Sequence, residues 1–237
     1  MKTYALSGRR GFINSAGRII TAASAATMIG RTWAAEEKED EGEEDVSPAE
    51  DLMREHGLLK RVLLIYGESI RRMEKGEDLP PSAVAESAKI IRSFIEDYHE
   101  KLEENFLFPR FEKAGKLVEL VETLRVQHQG GRRLTDITLG LANAKSLKVA
   151  DERNKLADSL KQFIRMYEPH EAREDTILFP AFRQIVSKHE YDSLGEDFEK
   201  KEHELFGKEG FEGMVDKVAE IEKTLGIHDL SLFTPKF

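Results

Sequence analysis

From residue 47 onward, apolar residues recur at helical spacing along most of the chain. Leu52, Leu59, Val62, Leu63 and Tyr66 fall on one stripe of a first helix, the spacing of an amphipathic helix with one buried face. Ser47-Pro48-Ala49-Glu50 marks its start, with an N-cap Ser, Pro at the first helical position and Glu at the third. It ends near Lys75-Gly76. Pro80-Pro81-Ser82 breaks the chain and caps a second helix, which carries His99 and Glu103. A third helix is predicted over about 116–144, carrying His128, and a fourth from near Asp151 to about Lys188, carrying His170 and Glu174. Helical periodicity continues over 191–205 and 211–225. No run of alternating β-branched residues argues for a strand. The pattern predicts an all-α fold: an up-down-up-down four-helix bundle over 47–188, with additional C-terminal helices in an extension over 189–237. Two breakers fall inside predicted helices. Gly130 and Gly131 predict a close helix approach or a local bend beside His128. Pro169 predicts a kink directly before His170.

The first 34 residues depart from this pattern. They contain no Asp or Glu but carry Lys2, Arg9, Arg10, Arg18 and Arg31. Arg9-Arg10-Gly11-Phe12-Ile13-Asn14 resembles a twin-arginine export signal, with Gly8 where Ser or Thr is usual and Asn14 where Lys is common. The apolar run over 19–30 is too short to span a bilayer. Cleavage is expected after Ala34 or Ala35, giving a periplasmic protein without stable membrane insertion. Losing those five cations would take the formal charge from -9 to -14. The acidic run over 36–45, within a segment spanning 35–46, reads as a solvated linker. The negative charge argues against nucleic-acid binding. The absence of cysteine excludes disulfides, thiolate zinc sites, iron–sulfur clusters and cysteine catalysis. A bound metal must therefore use N and O ligands, which suit iron, manganese or zinc.

Such ligands are repeated. His99-Glu100-Lys101-Leu102-Glu103-Glu104-Asn105-Phe106-Leu107-Phe108-Pro109 and His170-Glu171-Ala172-Arg173-Glu174-Asp175-Thr176-Ile177-Leu178-Phe179-Pro180 read almost as copies. Each has a Glu four residues after a His, one helical turn away on the same face. A further His precedes each copy, His56 by 43 residues and His128 by 42. The unit is His then His-x-x-x-Glu, once per helical hairpin. Pseudo-twofold symmetry predicts two metals, each taking two imidazoles, with Glu103 and Glu174 bridging. Glu100, Glu104, Glu171 and Asp175 are expected to face solvent or to orient imidazole N–H groups, with Glu100 and Glu171 as candidates for an extra ligand. The Leu-Phe-Pro segments read as helix-end packing. His189, His203 and His228 fall outside the repeat and read as non-ligands.

On these residues the chain resembles the hemerythrin-like, or HHE cation-binding, family over about 48–188. The resemblance implies a four-helix bundle around a non-haem di-iron centre, two iron ions with an oxo or hydroxo bridge. It implies His56, His99, Glu103, His128, His170 and Glu174 as ligands, with dioxygen or nitric oxide as partner. The oxygen-carrying hemerythrins have a further His one turn from the third-helix His, where this chain has Leu124 and Arg132. Four imidazoles, two bridging carboxylates and one bridging oxygen fill about ten of about twelve positions on two six-coordinate irons. That leaves room for a small ligand.

A ferritin-like di-iron centre would need Glu-x-x-His on two helices. Glu96-x-x-His99 fits once, while Tyr167 stands before His170 and Arg125 before His128. A zinc hydrolase needs only about three protein ligands. The functional expectation is an exported di-iron protein that binds dioxygen or a related diatomic for storage, sensing or scavenging. The alternative is a redox enzyme reducing nitric oxide or peroxide, served by an electron-donor protein, or an iron-donating protein that repairs iron centres.

Overall fold

The computed structural model describes residues 46–236. The export signal expected at 1–34 and the acidic run up to residue 45 lie outside the described residues. Within the described residues the chain is helical without strands: α1 (Pro48–Lys75), α2 (81–114), α3 (Val118–Leu141), α4 (150–185), α5 (Lys188–Phe206) and α6 (Gly210–Leu225). Among the described residues, no helix is long and apolar enough to cross a membrane.

The first four helices form the bundle. α1 packs against α2 and α4, and α3 packs against the same two helices. The short connections between them fit the antiparallel succession read from the sequence. Side chains from all four fill one core, including Leu52, Val62, Phe94, Leu124, Leu160 and Phe163, all buried. Burial of each such side chain contributes roughly 1.5–3 kcal/mol. α1 begins as expected, with the Ser47 hydroxyl accepting from the Glu50 N–H at 3.3 Å. The start of α2 differs. Pro80 holds the cap position without a side-chain bond, and Ser82 lies inside the helix. The fixed proline geometry at Pro81, not a Ser cap, begins this helix.

The Leu-Phe-Pro segments are not helix ends. α2 runs on to Ala114 and α4 to Ile185. Each helix instead widens into a π turn that starts at the Glu of the repeat, over Glu103–Leu107 and Glu174–Leu178. The Phe108 N–H bonds the Glu103 carbonyl, and the Phe179 N–H bonds the Glu174 carbonyl. Pro109 and Pro180 follow directly. A proline lacks the N–H and crowds the carbonyl four residues back, and the wider turn gives that ring room. Pro169 behaves differently, lying within an α-helix that is unbroken over Ala150–Arg173. α2 carries a second π stretch, Ile91–His99, for which α4 has no counterpart.

The two C-terminal helices pack on the outside of the bundle. They pair with each other and lie over α1 and α2. Phe94 and Tyr98 of α2 meet Phe206 of α5 at 5.3 and 5.5 Å between ring centroids. Arg61 of α1 grips Glu222 of α6 with two bonds, at 2.9 and 2.7 Å.

Candidate metal centre

The four histidines and two glutamates of the repeat come together in the bundle core, and all six are buried. α1 supplies His56, α2 His99 and Glu103, α3 His128, and α4 His170 and Glu174. They form two overlapping groups. One holds His56, His99 and Glu103, and the other Glu103, His128, His170 and Glu174. The His56 and His99 rings lie 4.7 Å apart at 52°, and the His128 and His170 rings 5.1 Å apart at 49°. The carboxylates stand between the pairs. Glu174 Oε2 is 3.4 Å from His56 Nε2 and 3.1 Å from His170 Nε2. Glu103 offers Oε2 to His128 Nε2 at 3.3 Å and Oε1 to His99 Nε2 at 3.9 Å.

Every imidazole is held from behind through Nδ1. His56 meets Asp175 Oδ1 at 2.7 Å, His99 meets Glu55 Oε2 at 2.7 Å, His128 meets Glu104 Oε1 at 3.1 Å, and His170 meets Gln127 Oε1 at 2.8 Å. These oxygens are acceptors, so they select the tautomer with hydrogen on Nδ1 and leave the Nε2 lone pair facing inward. Phe179 stacks on His56 at 5.4 Å and Phe108 on His128 at 5.5 Å. The sequence expectation for Glu104 and Asp175 as orienting groups matches this geometry.

The inward faces are short of partners. Both oxygens of Glu103, both of Glu174 and Nε2 of His128 are buried without a hydrogen bond, which is costly in the absence of a compensating group. His56 Nε2 and His99 Nε2 approach to 3.0 Å. Two lone pairs at that distance need a cation or a proton between them. Without a metal, a proton takes the place. Burial works against charge on His56, yet Asp175 and Glu174 outweigh it and raise its pKa to about 9. His99 is then driven well down by burial and by the charge on His56. His128 is lowered to about 4, mainly by burial. Burial and the like charge of Glu174 push Glu103 far up. Burial also raises Glu174, but the imidazoles of His170 and His56 outweigh it and hold it low. The donor set of imidazole nitrogens and carboxylate oxygens suits a divalent or trivalent transition metal.

Glu100 and Glu171, the candidate extra ligands, are buried and turn away from the Nε2 faces. Glu100 lies beside His128 Nδ1 at 4.0 Å and meets Arg132 at 2.6 Å, while Glu171 lies 3.6 Å from Lys60. Neither is solvent-facing. The Tyr167 hydroxyl donates to Glu100 Oε1 at 2.5 Å. Burial raises Glu100 to about 8 against the pull of Arg132 and Tyr167. Gly131 makes this contact fit, since a Cβ there would stand 2.2 Å from the Tyr167 hydroxyl. The glycine thus serves a close approach, one of the two expectations for its position beside His128. Glu96, the ferritin-like match, faces Thr135 at 2.5 Å and Arg92 at 3.1 Å instead.

Several site residues escaped the sequence reading: Glu55, Gln127, Tyr167, and the ring-stacking role of Phe108 and Phe179. The repeat itself held the signal. Glu55 and Gln127 each directly precede the first His of a hairpin. His189, His203 and His228 are exposed, as expected of non-ligands. The neighbour of His203, Glu202, is buried, and it groups with Asp51 and Glu55 behind His99. Its Oε1 accepts from the Phe211 N–H at 2.8 Å, and its Oε2 from the Tyr98 hydroxyl at 3.3 Å.

Comparison with known proteins agrees with this arrangement. The hemerythrin HHE cation binding domain matches twice, over residues 47–145 and 119–229. An uncharacterized protein of Mycobacterium bovis is 54% identical over 195 residues, covering 82% of this chain and 76% of its own length. Uncharacterized proteins of two strains of Mycobacterium tuberculosis match with the same identity and coverage. No solved structure matches significantly. With a buried histidine–carboxylate cluster at the heart of a helical bundle, the chain belongs to the hemerythrin HHE cation-binding domain family.

Proposed function

We propose that the chain holds two iron ions and binds dioxygen or a related diatomic at them, for storage, sensing or scavenging. The observation that carries this reading is the convergence of four imidazole Nε2 atoms on two buried carboxylates, four of whose oxygens lack a hydrogen-bond partner. His56 and His99 would hold one ion, His128 and His170 the other, and Glu103 and Glu174 would bridge. Two iron ions held there would supply the electron density that a diatomic ligand accepts.

The chain's own residues do the rest. Asp175, Glu55, Glu104 and Gln127 fix the imidazoles through Nδ1, so that little reorganisation accompanies ligand binding. Phe108 and Phe179 wall two of the rings with apolar surface. The six metal-facing side chains are at most 3% exposed, which excludes bulk water and favours a small uncharged ligand. Glu100, its pKa raised to about 8 by burial, accepts from the Tyr167 hydroxyl and ties α2 to α4 beside the centre. Export through a route for folded proteins, read from Arg9-Arg10, would let the metal be chosen in the cytoplasm.

The test is an optical titration of the iron-loaded, reduced chain, exposed to oxygen and then degassed. A charge-transfer band that appears with oxygen and disappears on degassing is the expected result. Irreversible conversion to the diferric spectrum would contradict reversible binding and favour redox turnover, which steady consumption of nitric oxide or peroxide with a reductant would establish.

A further inference from the structure

The pseudo-twofold repeat pairs nearly every residue around the centre with one of similar charge. Asp175 behind His56 answers Glu104 behind His128. Lys60, four residues after His56, reaches Asp175 at 3.5 Å, and Arg132, four residues after His128, reaches Glu104 at 2.8 Å. Glu100 and Glu171 occupy matching buried positions. Among the four groups that back the imidazoles, one pair breaks the charge balance. His99 is backed by the Glu55 carboxylate at 2.7 Å, whereas His170 is backed by the Gln127 amide oxygen at 2.8 Å.

We propose that Glu55 and Gln127 make the two metal positions inequivalent, Glu55 rendering His99 the more basic ligand and the His56–His99 position the more electron-rich of the two. This rests on the two-metal reading above. A carboxylate accepting the Nδ1–H draws that proton toward itself and builds negative charge on Nε2, where the metal is held, and a neutral amide in the same place does so less. The surroundings deepen the difference. Asp51 and Glu202 lie with Glu55 in one buried group of carboxylates. Gln127 brings no carboxylate to the other half. Glu202 belongs to α5, so the C-terminal extension contributes to one metal position and its charge. Its place there is built in. The Phe211 N–H holds its Oε1, and Gly210, at φ +31°, has no Cβ where one would stand 2.0 Å from that oxygen.

The distinction between charge and geometry can be made with two isosteric changes. Glu55→Gln keeps an oxygen that can accept from His99 Nδ1 and removes only the charge. Gln127→Glu adds a charge with the same length of side chain. The full chain, stripped of metal, is titrated anaerobically with cobalt(II) at one fixed pH, and the stoichiometry and both affinities are read from the visible absorption. His99→Ala and His170→Ala, each leaving one position with both imidazoles, assign the steps. Glu55→Gln is expected to weaken the His56–His99 position by about tenfold or more, and Gln127→Glu to strengthen the His128–His170 position comparably. Far-UV circular dichroism shows whether each variant keeps the fold, and a failure of Glu55→Gln to fold leaves the test to Gln127→Glu. Two metals bound with affinities indifferent to both changes would overturn the inequivalence while leaving the two-metal reading intact. Fewer than two metals in the unaltered chain would overturn the two-metal reading, and the inequivalence with it.

Discussion

The two halves of the bundle, α1–α2 and α3–α4, are built on one plan and diverge around it. The inward layer is duplicated residue for residue: His56 with His128, His99 with His170, Glu103 with Glu174, and the stacking Phe179 with Phe108. Even Phe111 and Phe182, two residues after each Pro, meet each other at 6.0 Å. One layer out, the halves part. The first half has Leu59 three residues after its His, and the second has Gly131, over which Tyr167 reaches Glu100. The first half carries the longer π stretch and the cover of α5 and α6. The position of the ligands is what the repeat holds constant. The packing that supports them is free to vary, provided each Nδ1 keeps an acceptor.

The sharpest way to break this symmetry is to remove a group shared by both halves. Glu103→Ala or Glu174→Ala should abolish paired metal binding, because each carboxylate stands between the two imidazole pairs. His99→Ala and His170→Ala should instead leave one position with both of its imidazoles. Metal content per chain after reconstitution separates the two results, and retention of two metals in Glu174→Ala would contradict the bridging arrangement.

Stability should show the divergence of the outer layer. Leu59 is 1% exposed, and Leu59→Ala should cost about 2–5 kcal/mol in chemical denaturation, from lost burial and a residual cavity. The equivalent change in the other half runs in the opposite sense of size. Gly131→Ala sets a methyl against the Tyr167 hydroxyl and should cost about 1–3 kcal/mol through overpacking. If Gly131→Ala were neutral, the close approach of α3 and α4 would not be the reason for the glycine.

Proton competition gives a smaller contrast. In the metal-free chain His56 titrates near 9 and His128 near 4, and metal binding requires both neutral. Loss of the His56 proton should therefore raise affinity at the His56–His99 position by about tenfold per pH unit between pH 7 and 9, beyond any rise that the shared Glu103 gives both positions. The His128–His170 position gains nothing from His128 over that range. The sign for folding is the reverse. The raised His56 value stabilises the metal-free fold fully below the ordinary imidazole value of 6.5, and that contribution is lost as pH rises through 9. Chelator competition at several pH values tests the first statement and thermal melts of the metal-free chain the second. A flat affinity profile above pH 7 would contradict the protonated His56.

Helix count, the bundle and the six converging side chains were legible because they obey local rules: apolar periodicity, a Ser-Pro start, and i, i+4 spacing on one face. The π turns that carry the helices past Pro109 and Pro180 were not, because the widened turn leaves no composition signature. Residues that reach across the bundle were equally hidden. Glu55 serves His99 from another helix, and Gln127 serves His170 in the same way. No spacing rule within one helix reports such a contact, although the repeat, extended one residue outward, aligns them. Glu202 was hidden for a further reason. It comes from a helix outside the repeat, and no spacing rule links it to Asp51 and Glu55.

The most direct test of a paired metal centre is Mössbauer spectroscopy of the full chain reconstituted with iron-57, alongside iron and protein quantitation. Two irons per chain, with the oxidised form diamagnetic at low temperature through coupling across a shared bridge, is the result expected. One iron per chain, or two that behave as isolated high-spin ferric ions, would contradict the account.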